Sequence, residues 1–80
     1  MIEDIRQVLR EHGNLPVDVE TVDVTDDLYR AGLTSHASVN VMLALEEHFD
    51  VEYPDRMLTR GAFSSIETIR HGLTELLETA

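Results

Sequence analysis

AGLTSHASVNVMLALEEHFD, residues 31–50, carries two contrasting faces at helical spacing. Stepped at about 100° per residue, Val41, Met42, Leu45 and Phe49 fall on one side, as a core-facing helix requires. The spacing predicts a helix from about Ser35 to Phe49, closed by DVEYPD, where Pro54 cannot continue it. His36, Val39, Asn40, Leu43, Glu46 and Glu47 fall on the opposite side. That face ought to be wholly polar, yet Val39 and Leu43 stand one turn apart on it. Apolar residues with a charged rim suit a transient protein partner, unless neighbouring loop residues cover them.

Working outward, Ile2, Ile5, Val8, Leu9 and His12 recur at three- and four-residue steps, and GNLP stops that pattern at Gly13. Ile66, Ile69, Leu73, Leu76 and Leu77 mark a last helix, with Ser64 and Glu67 spaced as a capping box at its start. RMLTRGAF, residues 56–63, has room for one short helical turn, and no convincing strand alternation exists. Residues 14–33 form a long connection pinned by Val17, Val19, Val22, Leu28 and Leu33; such loops are uncommon in compact domains and often functional. The expected fold is all-α: a small bundle of three main helices plus one short helix, with a long first loop, as a single domain over residues 1–80.

Composition narrows the function. Sixteen acids face six bases, all of them Arg, for a net charge of −10. Eleven acids and one base, Arg30, lie between Glu11 and Asp55. Such a field repels nucleic acid and anionic membranes and steers basic protein partners. A chain this short buries roughly 60% of its unfolded surface, too little for a deep enclosed active site. With no cysteine there is no disulfide, and no leader or membrane-spanning run is evident, so a reducing cytoplasm is the expected setting.

Ser35 is the hydroxyl to explain. At a helix entrance it would serve as a cap, and the same place suits a phosphate ester laid against helix amides and a favourable dipole. A catalytic nucleophile fits badly. The nucleophile elbow needs glycines where Leu33 and Ala37 stand, and His36 points about 100° away around the helix. His12, His36, His48 and His71 are scattered, and DVTDD lacks calcium-loop spacing, so neither catalysis nor a metal is expected.

DDLYRAGLTSHASVNVMLALEEHFDVEYPD, residues 26–55, resembles the heart of the acyl carrier proteins, and FSSIETI, residues 63–69, resembles the start of their last helix. The resemblance runs in order along essentially the whole chain. It implies a 4′-phosphopantetheine arm on Ser35, attached by a phosphopantetheinyl transferase and ending in a thiol that carries an acyl group as a thioester. The family's recognition positions fall on Thr34, His36, Val39, Asn40, Leu43, Glu46 and Glu47, most of them on the outward face found from helix geometry.

The usual Asp-Ser-Leu triplet reads Thr34-Ser35-His36 here, and an outward glutamate has become Asn40, which departs from housekeeping fatty-acid carriers. AGLxSxASVxxMLxLEExFDxExPDxxLxRxxFxSI is more similar to free-standing aminoacyl carrier proteins. That subgroup implies loading by an amino acid:carrier protein ligase, a shortened homologue of class II seryl-tRNA synthetases, and transfer to a downstream acceptor enzyme. The free carrier is expected to be a monomer and no enzyme. The rival readings are a carrier for specialised fatty-acid, polyketide or nonribosomal peptide synthesis, and an unmodified acidic interaction module of the same fold.

Overall fold

Helix α1, Ile2–His12, begins with Glu3 and Asp4 at its positive end and finishes with Arg10 and His12 at its negative end. The computed structural model describes residues 1–79. Ile5, Val8 and Leu9 carry α1 into the core, while His12 is exposed although it shares their spacing. Gly13 stays right-handed; the chain turns at Asn14, with φ 50°.

The long connection is anchored. Val19, Val22, Leu28 and Leu33 are buried as expected, but Val17 is 44% exposed and pins nothing. Arg6 Nη1 donates to the Val19 and Val22 carbonyls at 2.7 and 2.8 Å, tying the loop to α1 by charge-assisted bonds. The short α-helix lies inside this loop, α2 at Leu28–Ala31. Residues 56–63 form the expected short helical turn as the 3₁₀ helix Arg60–Phe63, and a further 3₁₀ turn, Asp55–Met57, overlaps the start of that segment.

Helix α3, Ser35–Phe49, spans the expected residues and ends at Asp50 in the left-handed conformation. Helix α4, Ile66–Thr79, starts from a capping box one residue later than the sequence predicts. Ser65 Oγ accepts from the Thr68 amide at 3.0 Å, and Thr68 Oγ1 accepts from the Ser65 amide at 3.1 Å. Ser64 instead bonds the Gly61 carbonyl, and Glu67 pairs with Arg70.

No strand occurs among the described residues. Ile5, Leu9, Leu28, Val41, Leu45, Ile66, Ile69 and Leu73 are fully buried and unite the four helices in one aliphatic core. Each contributes about 1.5–3 kcal/mol against chain entropy. Among the described residues no helix is long and apolar enough to cross a membrane, and no group of three or more His, Asp and Glu converges as metal ligands.

Candidate functional site

Ser35 owes its placement to the turn before it. Asp27 Oδ1 caps α2, accepting from the Tyr29 amide at 2.9 Å. Gly32 ends α2 with φ 120°, and a Cβ there would lie 2.5 Å from Pro16 Cδ. Both the dihedral and the close approach therefore require glycine. Leu33 then returns to the core, its amide bonded to the Leu28 carbonyl at 2.9 Å. The Leu28 amide bonds the Ser64 carbonyl at 2.7 Å and the Glu67 amide bonds the Val24 carbonyl at 2.9 Å. These bonds fix the loop against the start of α4, so the helix entrance is held from several sides.

The helix cap is Thr34, a correction to the capping role considered for Ser35. Thr34 is the last extended residue, φ −85° and ψ 161°, and its Oγ1 accepts from the Ala37 amide at 3.0 Å. Only from that position does a side chain reach back to the third helical amide. Ser35 is thus the first residue of a 15-residue helix, at its positive end. Its side chain is exposed, and its hydroxyl has no hydrogen-bond partner among the described residues. Thr34 does the capping; Ser35 is left available.

A groove of about 320 Å³ opens beside that hydroxyl, lined by Ser35, Ser38, Val39 and Met42 from α3 and by Tyr29, Leu58, Thr59, Arg60 and Phe63 opposite. Arg60 stacks its guanidinium 3.8 Å from the Tyr29 ring centroid, while the Tyr29 hydroxyl donates to the Arg60 carbonyl at 3.1 Å. Arg6 is committed to carbonyls, and Arg10, Arg56 and Arg70 to the carboxylates of Glu20, Glu75 and Glu67. Arg60 is the cation that lines the groove. An anionic ester at Ser35 bearing a long, mostly uncharged chain fits this donor set and this lining. Leu58 and Arg60 stand in the aminoacyl-carrier pattern quoted above but were given no site role there, and Tyr29 carried no signal of its own, because which residues border Ser35 is set by the fold.

Most of the predicted outward face is present. Val39 is 50% and Leu43 53% exposed, so no loop covers them. Thr34, His36, Asn40 and Glu47 are exposed around them. Glu46 behaves differently: it is half-buried, and its Oε2 accepts from the Tyr53 amide at 2.8 Å, clamping the linker to the end of α3. That bond draws one of its oxygens away from the outward face. Tyr53 is buried against Phe63, its hydroxyl without a partner among the described residues; burial, with Glu46 adding, pushes the phenol up to about 12.

Comparisons with known proteins bear on this site. A family model described as a phosphopantetheine attachment site matches residues 3–70. An aminoacyl carrier protein of Agrobacterium fabrum is 46% identical over 74 residues, covering 92% of this chain and 89% of that one. Among solved structures, the chain matches the carrier protein from Agrobacterium tumefaciens in a crystal structure with an engineered Bradyrhizobium japonicum glycine:carrier protein ligase and AMP. The TM-score is 0.91 at 46% identity, over 92% of this chain and 99% of that one. A holo acyl carrier protein from Nitrosomonas europaea, solved by NMR, matches with a TM-score of 0.84 at 28% identity, over 96% and 95% of the two chains.

Proposed function

This chain belongs to the phosphopantetheine attachment site family of carrier proteins, and from that membership we propose that it is an aminoacyl carrier whose arm is joined to Ser35. The family's 4′-phosphopantetheine is covalent and supplies a terminal thiol on which cargo is held as a thioester. The observation that carries the assignment to Ser35 is its exposed hydroxyl, free of capping duty at the positive end of α3 and facing a groove with one cation. When the hydroxyl oxygen becomes part of a phosphodiester, the dipole of α3 and the Arg60 guanidinium favour the anion.

The remaining residues handle recognition. Val39 and Leu43 offer a small apolar contact, with Thr34, His36, Asn40 and Glu47 as its polar rim and Glu46 holding its lower end to the linker. A net charge of −10 steers basic surfaces of the transferase, the amino acid:carrier protein ligase and the downstream acceptor toward this face. A small patch favours rapid release, so successive enzymes meet the tethered cargo at high effective concentration. The protein needs no catalytic group of its own, and residues 1–80 act as one monomeric carrier domain in the cytoplasm.

The test is charging. The chain is first modified by a phosphopantetheinyl transferase, then incubated with ATP, an amino acid panel and the amino acid:carrier protein ligase. Intact mass is expected to rise by one aminoacyl group, lost on hydroxylamine treatment. No gain with any amino acid, while a control carrier is charged in parallel, would reject the aminoacyl reading.

A further inference from the structure

We infer that the docking surface does not end on α3 but crosses a groove onto α1, and that this groove receives a basic helix of the loading ligase, with an arginine or lysine laid between Glu11 and Glu47. The inference rests on the aminoacyl-carrier reading and extends it to residues outside the α3 face.

Between α1 and α3 the surface is hollowed by about 810 Å³, with Glu11 and His12 among the residues of one wall and Leu43, Glu47 and His48 among those of the other. Leu43 belongs both to this groove and to the exposed apolar patch, so the two surfaces are continuous. The charge distribution says what fits. Both arginines of α1 are drawn toward the long loop, Arg6 onto the Val19 and Val22 carbonyls and Arg10 onto Glu20. Asp4 holds His48 at one end, 3.1 Å from Nε2 to Oδ1. Glu11 and Glu47 are exposed and have no basic partner among the described residues.

A groove with an apolar shoulder at Leu43 and two unpaired carboxylates across it selects a cationic, amphipathic occupant. A second copy of this chain is disfavoured, because two bodies each carrying −10 repel. An amphipathic helix meets both requirements, presenting an apolar residue to Leu43 and a long basic side chain one turn away to the carboxylates.

The test compares Glu11→Arg with Glu78→Arg, an exposed position on α4 outside the groove. The two changes alter the net charge equally, so general steering is matched. Arg near the end of α1 agrees with the helix dipole, so Glu11→Arg keeps the fold. Binding of each holo variant to the glycine:carrier protein ligase of Bradyrhizobium japonicum is measured across a salt series. Glu11→Arg is expected to weaken binding about tenfold and flatten its salt dependence, against less than about twofold for Glu78→Arg. Equal effects at the two positions, with Glu47→Arg still impaired, would confine the interface to α3 and overturn the inference while leaving the carrier reading intact. Failure of the unaltered chain to bind or be charged would remove both.

Discussion

Replacing Thr34 and Ser35 one at a time separates two roles that adjacent hydroxyls usually share. Thr34 Oγ1 satisfies the Ala37 amide at 3.0 Å, so Thr34→Ala leaves that donor to water and costs about 0.5–2 kcal/mol. Ser35 is exposed and already helical, and alanine is the better helix former, so Ser35→Ala changes stability by less than about 0.5 kcal/mol. With a urea slope of about 1 kcal/mol per molar for a domain this small, the midpoint falls by roughly 0.5–2 M for Thr34→Ala and stays nearly fixed for Ser35→Ala. Modification by a phosphopantetheinyl transferase reverses the pattern. Thr34→Ala gains the arm at temperatures where it is folded, and Ser35→Ala never does. Circular dichroism at increasing urea and intact mass read the two effects on the same samples. If Ser35→Ala loses as much stability as Thr34→Ala, Ser35 is the cap and the reasoning about its availability fails.

Gly32→Ala should destabilise the chain by about 1–3 kcal/mol, because φ 120° and the 2.5 Å approach to Pro16 Cδ both exclude a Cβ; a urea midpoint matching wild type would show that the turn relaxes freely. Tyr53→Phe should raise stability by about 1 kcal/mol or more, since it removes a buried hydroxyl with no partner. Because the folded phenol is pushed from 10.0 up to about 12, the unfolded chain ionises first, so the contribution of Tyr53 to stability is fully present below pH 10 and is lost as pH rises toward 12. Tyr53→Phe should lose that component of the fall, measured as urea midpoints at pH 8 and at a pH between those two values. Glu47→Arg should slow ligase loading and reduce its salt sensitivity with the urea midpoint unchanged, whereas Glu46→Ala should lower stability by about 1.5–3 kcal/mol, read as a fall in the urea midpoint, through loss of its bond to the Tyr53 amide. Loading rates and denaturation curves that fail to separate these two glutamates would undo the distinction between them.

Periodicity made the helices legible, because burial of Val41 and Leu45 or of Ile69 and Leu73 depends only on spacing along a helix. Ser35–Phe49 was readable to the residue since a loop precedes it and Pro54 follows. What spacing does not distinguish was lost. In FSSIET, Ser64 with Glu67 has the residue types of a capping box, but Ser65 and Thr68 share its spacing and form the reciprocal bonds, while Ser64 is drawn to the Gly61 carbonyl and Glu67 to Arg70. Thr34 and Ser35 are equally good caps on paper; the difference is which residue stays extended, and that is set upstream by Gly32 and Leu33. Glu46 sits on the outward face by angle, but its carboxylate bends to an amide seven residues on, a contact created by the turn at Asp50. The groove beside Ser35 was invisible for a similar reason: Tyr29, Leu58 and Arg60 come from separate segments and meet only through the fold.

The most direct measurement is peptide mapping by mass spectrometry of this chain purified from cells that also express a phosphopantetheinyl transferase. The phosphopantetheine is predicted on the peptide containing Ser35, with fragmentation assigning it to that residue and to no other hydroxyl. A bare Ser35 peptide beside a fully modified control carrier, or an arm found on Thr34 or Ser38, would contradict the assignment.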